Sequence, residues 1–349
     1  MASKKRVLFL IGGKSEEHEI SLISSKHILE ALDKLKFEPL VVVIDKGGAM
    51  FHVSVEDVMK TPRNPREVKT PKGELISIQP FSAAGSKPKI LVGGRSYEFD
   101  VAFPVLHGPG GEDGSIQGLF EFSGVPVVGC DVKSSAICMD KGVTKRLCAL
   151  ANLPVAAFEE IYKTDDYKKY QPTNFPLFVK PARLGSSIGV FKVKSQAELT
   201  HALTEAFKLD EKVLVEDAVV GREIEVAILG NRGDLTVSPA GEIRIKTEFY
   251  SYDAKYVLED AAELIYPAPL PPEQLKQLQA LAVGVFNALE CSGMARLDFF
   301  LRQSDGQFLL NEVNTIPGFT PISMYPKLMQ LAGVGYSELI TRLINLASR

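Results

Sequence analysis

The sequence has no long apolar run and no excess of charge of one sign. None of its segments approaches the roughly eighteen apolar residues that a membrane-spanning helix needs. The basic start at residues 4–6 precedes an apolar run that is too short for a signal peptide and has no small-residue cleavage site. The net charge of -3 gives no support for nucleic-acid binding. We therefore expect a protein that binds neither membranes nor nucleic acids.

Cysteine is also scarce, and two common nucleotide-binding signatures are missing. The four cysteines show neither C-x-x-C spacing nor a disulfide framework, which favours a reducing cytoplasm. The glycine-rich segment 107–115 lacks the G-x-G-x-x-G spacing of dinucleotide sites. The Gly/Ser loop after Lys180 lacks the G-K-[S/T] sequence that opens the helix of a P-loop. Neither of these two phosphate sites is therefore predicted.

The residues that are present describe an ordinary globular protein. Apolar residues make up 45% and charged residues 24% of its 349 residues, a length sufficient for two or three domains. Residues 6–11 predict a buried strand, Gly12 and Gly13 a turn, the next residues a helix, and residues 40–44 a second strand. This β-α-β order predicts an α/β fold with a parallel sheet covered by helices. Residues 46–98 are rich in Gly, Pro, Lys and Ser, and we expect an irregular insertion with short strands and no chemistry.

The most informative segment is a predicted β-hairpin over residues 294–314. Because side chains alternate along a strand, Asp298 and Glu312 face each other directly only if the turn between them holds an odd number of residues. A three-residue turn that ends at Gly306 meets this condition. Two carboxylates among apolar residues repel each other unless a cation lies between them, and oxygen ligands without His or Cys favour Mg²⁺ shared with substrate phosphates. Ion pairing at the surface is the alternative.

A second segment predicts a lid that closes over phosphates. Lys180 ends an apolar strand, and the Gly/Ser-rich loop 183–189 follows it directly. The loop offers backbone amides and hydroxyls, and the lysine offers a point charge. An ordinary hairpin is the alternative. Glu216 and Glu223, at the ends of two later strands, could bond an amino group and a ribose, or could be solvated strand-end charges.

For the remaining candidates a structural explanation is as good as a functional one. Glu17 lies in the first turn of the predicted helix, where acids interact favourably with the helix dipole whatever the function. His107 could contact a ligand or simply end a strand. Lys141 lies in a helix predicted over residues 132–150, and a lone helical lysine is usually solvated. The aromatic stretch 249–256 has no clear period and suggests a packed loop over a site.

Five segments in chain order resemble D-alanine–D-alanine ligases, which belong to the ATP-grasp superfamily. They are residues 12–21, 107–114, 180–189 and 249–256, and the hairpin residues 296–298 with 311–318. The resemblance covers nearly the whole chain and implies a three-domain ATP-grasp architecture of the α/β class with an α+β central region. Its parts would be an N-terminal parallel-sheet domain at residues 1–130 with the insertion, a central lid domain at 131–220, and a C-terminal domain at 221–349 with the hairpin and the aromatic loop.

The resemblance also implies a role for each candidate residue. Glu17 would hold the ammonium of the first D-alanine and, with Ser186 and Tyr256, would tie the two loops shut over the substrates. Arg296 and the Gly318 amide would stabilise the oxyanion. The ATP contacts would be Lys141, Lys180, Ser187, Glu216, Val219, Glu223 and Lys255. The other contacts would be Asp298, Glu312 and Asn314 for two Mg²⁺ ions, which Mn²⁺ could replace, Ser323 and Met324 for the second D-alanine, and His107 for the first.

The implied activity is the ATP-dependent ligation of two D-alanines through an acyl phosphate, for peptidoglycan precursor synthesis, cell wall biogenesis and cell shape. The implied partners are D-alanine, ATP and a second copy in a homodimer. Two alternatives are another ATP-grasp carboxylate–amine ligase, including one that makes D-alanyl-D-lactate, and a nucleotide-binding regulator without chemistry. Tyr256 resembles the dipeptide-forming members, and Arg296, Asp298, Glu312 and Asn314 together argue against the regulator.

Overall fold

The computed structural model describes residues 4–79, 87–245 and 262–347. Within these ranges the strands form three sheets, of seven, four and five strands, which follow one another along the chain. Helices pack against each sheet, so the fold is mixed α/β, as predicted. No helix in the described ranges combines the length and the apolarity that crossing a bilayer requires.

The first sheet is built around a β-α-β unit. Its strands are, in chain order, β1 (Lys5–Gly12), β2 (Phe37–Ile44), β3 (Met50–Val53), β4 (Glu74–Gln79), β5 (Lys89–Val92), β6 (Arg95–Glu98) and β7 (Val101–Val105). β1 pairs in parallel with β2 and with β7, which confirms the predicted parallel sheet. The insertion contributes β3 to β6, which extend the sheet from the edge of β2 by antiparallel pairing.

Helix α1 (His18–Ala31) begins beside the ligand-binding edge of this sheet. β1 is apolar and almost wholly buried, and the apolar face of α1 packs against it. The chain turns between them at Gly12 and Gly13, whose φ angles of 85° and 103° favour glycine. Glu17 therefore lies just beyond the carboxyl end of β1, where open α/β sheets bind ligands. Three short elements complete this part of the chain: α2 (Val55–Met59), a 3-10 turn at Pro65–Glu67 and α3 (Ser115–Glu121).

The second sheet is antiparallel and carries the predicted lid. It consists of β8 (Phe158–Tyr162), β9 (Leu177–Pro181), β10 (Phe191–Val193) and β11 (Lys212–Asp217) in the order β10-β9-β11-β8, with a 3-10 turn at Tyr167–Lys169 and α6 (Gln196–Ala206) packed on one face. Lys180 on β9 pairs with Leu214 on β11, so Glu216, two residues further on, lies on the same face as Lys180. β9 and β10 pair in antiparallel fashion on either side of the Gly/Ser-rich loop.

The single helix predicted over residues 132–150 is wrong, because the chain forms two helices there. They are α4 (Val132–Met139) and α5 (Lys141–Leu150). Asp140 separates them, since its carboxylate accepts hydrogen bonds from the N–H groups of Gly142 (3.1 Å) and Val143 (3.0 Å) and so caps α5. Lys141 consequently occupies the first position of α5, beside the lid loop.

The third sheet is antiparallel, in the order β14-β13-β12-β15-β16. Its strands are β12 (Gly221–Asn231), β13 (Asp234–Ile245), β14 (Ala262–Ile265), β15 (Gly293–Arg302) and β16 (Phe308–Asn314). Helix α7 (Pro272–Ala288) packs on one face, and α8 (Met324–Leu331) and α9 (Tyr336–Ala347) pack on the other. Because α8 and α9 share a buried apolar cluster with β1 and β7, the first and third sheets are held against each other.

Candidate active site

One cavity of about 870 Å³ brings the predicted site residues together, with walls from all three sheets. The predicted residues that line it are Glu17, His107, Lys141, Lys180, Ser186, Ser187, Glu216, Val219, Glu223, Arg296, Asp298, Glu312, Asn314, Gly318, Ser323 and Met324. The two others, Lys255 and Tyr256, belong to the aromatic stretch and lie outside the described residues. Segments that are far apart in sequence thus meet as expected, while the role of each residue stays a prediction.

The hairpin of β15 and β16 presents its acids on one face. Asp298 lies directly opposite Glu312, as predicted. The predicted three-residue turn is wrong: Arg302 N–H donates to the Gln307 carbonyl (2.9 Å), which leaves the four residues 303–306 in the turn. An even-numbered turn alone would place Asp298 opposite Asn311. A β-bulge at Asn311 adds one residue to β16 and restores the pairing of the two acids.

Arg296 forms a bidentate ion pair on the same face. Its Nε and Nη2 donate to the two carboxylate oxygens of Asp298, both at 2.8 Å, and Glu225 on β12 lies 3.4 Å from its Nε. Burial would lower the pKa of Arg296, but the carboxylates of Asp298 and Glu225 hold it well above its ordinary value. Asn314 Nδ2 also donates to Asp298, at 3.0 Å. The guanidinium is therefore charged and rigidly oriented in the cavity wall.

Glu225 was missed by the sequence analysis, although a signal was present. It lies two residues after Glu223 on β12, so the two acids share a face of the strand. Glu225 pairs with Asp298 in the strand register, which places it beside Arg296. Two acids at this spacing in an otherwise apolar strand are a cue for a buried cationic partner.

The donor chemistry around Asp298 and Glu312 fits Mg²⁺. The two carboxylates and the amide of Asn314 offer hard oxygen donors. Glu312 lies 3.4 Å from Lys141 Nζ, so each acid already has a cation beside it. Within the described ranges no group of three or more His, Cys, Asp or Glu side chains is placed to hold a metal.

Two lysines enclose Glu216 in the wall of the cavity. Lys180 Nζ donates to Glu216 Oε2 (2.7 Å) and to Asn311 Oδ1 (3.1 Å), and Lys145 Nζ lies 2.8 Å from Glu216 Oε1. Burial would raise the pKa of Glu216, but the two ammonium groups lower it to about 2. Lys145 is fully buried and was not predicted, because a lysine in an ordinary helix gives no signal of its partner. The ion pairs with Glu216 thus hold Lys145 and Lys180 in position before any nucleotide binds.

The Gly/Ser-rich loop closes onto the first sheet. Ser186 and Ser187 have φ angles of 50° and 59°, a left-handed conformation that is uncommon for residues other than glycine and often marks functional loops. Ser186 Oγ donates a hydrogen bond to Glu17. A Cβ at Gly185 or at Gly108 would lie 3.1 Å from Glu17 Oε2. The carboxylate of Glu17 is therefore held between two glycine-containing loops from different sheets.

A second acid, Glu112, ties the first sheet to the end of the hairpin. Its Oε2 accepts from Gly108 N–H (2.8 Å) and its Oε1 from Ile316 N–H (3.1 Å). Burial and the neighbouring Glu17 raise its pKa to about 8. His107 approaches the same segment, with Nδ1 3.0 Å from the Ile316 carbonyl oxygen, and burial lowers its pKa. Glu112 was missed, although an acid inside a glycine-rich loop is a recognisable pattern.

The segment after the hairpin ends in an uncapped helix. A Cβ on Gly318 would lie only 2.6 Å from Ser323 Oγ, so the close approach requires glycine. Ser323 occupies the N-cap position of α8, but its Oγ accepts from Thr320 N–H (3.0 Å) and does not cap the helix. Among the residues that the structure describes, no side chain caps the first N–H groups of α8, and such helix starts attract carboxylates and phosphates.

These features define a class of enzyme. A lid sheet and an acid-bearing sheet line one cavity, in which two lysines lie beside Glu216 and Glu312 and an arginine lies beside Asp298. This is the ATP-grasp fold. The chain belongs to the D-alanine–D-alanine ligase family and is an enzyme of that type. Family models for the N-terminus and the C-terminus of D-ala D-ala ligase match residues 6–130 and 147–345.

Individual relatives agree over almost the whole chain. The D-alanine–D-alanine ligase A of Chromobacterium violaceum is 46% identical over 99% of this chain and 95% of its own length. The D-alanine–D-alanine ligase A of Salmonella typhimurium is 42% identical over 99% of this chain and 96% of its own length. Among solved structures, the D-alanine–D-alanine ligase of Coxiella burnetii has a TM-score of 0.86 at 36% identity, over 99% of this chain and 94% of its own. The VanG D-Ala:D-Ser ligase of Enterococcus faecalis also has a TM-score of 0.86, at 35% identity over 99% of this chain and 100% of its own.

Proposed function

We propose that this ligase joins two molecules of D-alanine, consumes one ATP, and releases D-alanyl-D-alanine, ADP and phosphate. The product would serve peptidoglycan precursor synthesis in the cytoplasm. The observation that carries the proposal is the single cavity in which Glu17, the Ser186 loop and the Arg296–Asp298 pair converge. These groups can hold an ammonium, cover a phosphate and stabilise an oxyanion, and an amino-acid ligase needs all three functions.

In the first step the carboxylate of one D-alanine attacks the γ-phosphorus of ATP, and ADP leaves. Glu17 would hold the ammonium of this D-alanine, with His107 close by. Lys180 and Lys141 would neutralise the phosphates, while the hydroxyl and amides of Ser186 and Ser187 would cover them. Phosphoryl transfer needs positioning and charge neutralisation more than covalent help. Lys180 and Lys141 meet this need because Glu216 and Glu312 already hold them in position.

In the second step the amine of the other D-alanine attacks the carbonyl carbon of the acyl phosphate, and phosphate leaves. The tetrahedral intermediate carries an oxyanion, which Arg296 and the Gly318 amide would stabilise. Loss of one such donor typically costs about 3–4 kcal/mol of transition-state stabilisation. Ser323 and Met324, at the start of α8, would meet the carboxylate of the attacking D-alanine.

Several further assignments belong to the same proposal. Val219, Glu216 and Glu223 would border the adenine and ribose. Lys255 would contact the γ-phosphate, and Tyr256 would complete the contact between loops. Asp298, Glu312 and Asn314 would hold two Mg²⁺ ions, or Mn²⁺ in their place, and these ions would neutralise charge on the transferred phosphate.

We also propose three domains, at residues 1–130, 131–220 and 221–349, because each of the three sheets falls within one of these ranges. The homodimer rests on family resemblance alone.

A coupled assay tests the proposed reaction. Purified protein with ATP, Mg²⁺ and D-alanine should release one phosphate for each D-alanyl-D-alanine formed, with both products quantified in the same sample. D-serine and D-lactate are offered as competing acceptors. Turnover with another amino acid but not with D-alanine would contradict the proposal, and faster ester than dipeptide formation would identify a depsipeptide ligase.

A further inference from the structure

An unexpected basic segment forms part of the cavity wall. Residues 63–66 of the insertion line the cavity together with the predicted site residues. The segment contains Arg63 and Arg66 and runs into the 3-10 turn at Pro65–Glu67. No chemistry was expected for this part of the chain. Its two arginines are therefore placed where they could contact a substrate.

The segment is attached to α1 on both sides of Arg63. Lys26 Nζ donates to the Thr61 carbonyl oxygen (2.8 Å), and His18 Nε2 lies 2.9 Å from Thr70 Oγ1. His18 and Lys26 belong to α1, the helix that begins immediately after Glu17. Arg63 is thus carried on backbone anchored to the helix that follows Glu17. Lys141 and Lys180, in contrast, come from α5 and β9.

The charges in the cavity wall leave a role for one more cation. Eight acidic and five basic side chains line it, so the wall attracts ammonium groups and repels carboxylates. Three of the basic groups are already engaged: Lys141 lies beside Glu312, Lys180 beside Glu216, and Arg296 is held by Asp298. Arg66 is also partnered. Arg63, in contrast, makes no hydrogen bond or ion pair with the residues that the structure describes, and it is exposed to the cavity.

The start of α8 is attached to the same helix as Arg63. Phe319 N–H donates to Ser24 Oγ of α1 (3.2 Å), which fixes the segment between Gly318 and Ser323. The segment that carries Arg63 and the segment that leads into α8 are therefore both bonded to α1, at Lys26 and Ser24. A carboxylate at the uncapped first turn of α8 would lie on the side of the cavity that this helix supports.

We propose that Arg63 is a specificity-determining residue that binds the carboxylate of the second D-alanine. The inference rests on the proposed function, since it presupposes that an α-amino acid is the attacking amine. The second D-alanine is favoured over the first because its carboxylate stays ionised throughout the reaction. A cation fixed on the first carboxylate would stabilise the ground-state charge that phosphorylation removes, and that would slow the first step.

The test compares two acceptors that differ only in this charge. D-alanine serves as the donor, and either D-alanine or D-alaninamide, whose carboxamide is neutral, serves as the acceptor amine. The variants are Arg63→Gln, which removes the charge, and Arg63→Lys, which keeps it. Arg95→Gln is the matched control, because Arg95 is an exposed arginine of the same insertion that does not line the cavity.

Arg63→Gln should raise the KM of the second D-alanine about fivefold, as expected for one partly exposed ion pair, and leave kcat and the KM of ATP within about twofold. The kcat/KM for D-alaninamide should not change. Arg63→Lys should retain most of the wild-type KM, and Arg95→Gln should match the wild type. Added NaCl should raise the second-site KM of the wild type and have a smaller effect on Arg63→Gln.

Two results would overturn the inference. One is that Arg63→Gln leaves the KM of the second D-alanine unchanged, together with the dependence of that KM on salt. The other is an equal loss of kcat/KM with D-alanine and with the amide, which would indicate a general effect on the cavity. Failure of the wild type to form any dipeptide is a separate result, because it would contradict the proposed function itself.

Discussion

The hydroxyl of Ser186 donates a hydrogen bond to the carboxylate of Glu17, a residue 169 positions earlier in the chain. Through this contact the loop of the second sheet reaches the ligand edge of the first. Gly185 and Gly108 leave the room that the carboxylate needs. In the proposed reaction the contact closes the site over the acyl phosphate and excludes the water that would hydrolyse it.

Replacing Ser186 by alanine should lower kcat for dipeptide formation roughly ten- to a hundredfold, the range expected for loss of a hydrogen bond to a charged group. It should also raise the amount of ATP hydrolysed per dipeptide formed, because the site would close less well. Ser195→Ala is the control: Ser195 caps α6 outside the cavity, so that variant should lose stability without losing kcat. A Ser186→Ala enzyme with wild-type kcat and tight coupling would remove this contact from the mechanism.

Replacing Glu312 by glutamine should abolish turnover at Mg²⁺ concentrations that saturate the wild type. The change removes one of the two facing carboxylates and leaves an amide, which is a weaker ligand for a hard cation. Partial recovery at high Mg²⁺ or Mn²⁺ would support a role in metal binding. Glu263→Gln, an exposed acid on β14, should behave as the wild type. Full activity of Glu312→Gln at low Mg²⁺ is the contrary result.

Replacing Lys145 by methionine should destabilise the protein by about 3–5 kcal/mol, because it leaves Glu216 buried with only Lys180 beside it. Urea unfolding at neutral pH measures the change. The pKa of Glu216 is lowered from 4.5 to about 2, so its ion pairs stabilise the protein fully above pH 4.5 and less as the pH falls toward 2. The wild type should therefore lose more stability than Lys145→Met below pH 4.5. Equal losses would mean that the pair does not stabilise the fold.

Glu112 should produce the opposite pH dependence. Its pKa is raised from 4.5 to about 8, so it favours the folded protein most below pH 4.5, and this contribution is lost as the pH rises toward 8. In Glu112→Gln, the free energy of unfolding should decrease less between pH 5 and about 8 than it does in the wild type. Glu121→Gln, an exposed acid on α3, serves as the control. An unchanged slope in Glu112→Gln would show that Glu112 does not titrate in this range.

Local patterns predicted most of the elements, and the family resemblance predicted many of the cavity residues. Alternation along the strands predicted that Asp298 and Glu312 share one face, because an apolar face fixes the side on which acids can lie. Their direct pairing depends on a four-residue turn together with a bulge, and not on the predicted three-residue turn. The four-residue turn and the bulge could not be predicted, since the bulged Asn311 bonds Lys180 on another sheet. The break at Asp140 was readable in principle, because aspartate is a favoured N-cap residue at a helix start.

The residues that were missed depend on partners distant in sequence. Lys145 is buried only because Glu216 reaches it from the lid sheet, and Glu112 gains its second partner, Ile316, from the end of the hairpin. Arg63 lies in a segment whose composition indicated an insertion without chemistry, yet bonds to α1 bring it to the cavity. No periodicity or spacing encodes such contacts, which exist only once the sheets pack together.

The central claim is that the carboxylate of one D-alanine is phosphorylated by ATP before the second attacks it. The most direct measurement uses D-alanine with both carboxylate oxygens replaced by ¹⁸O and follows the released phosphate by mass spectrometry. One ¹⁸O atom should appear in each phosphate formed, in step with D-alanyl-D-alanine. Dipeptide formation with no ¹⁸O in the phosphate would contradict the acyl-phosphate mechanism.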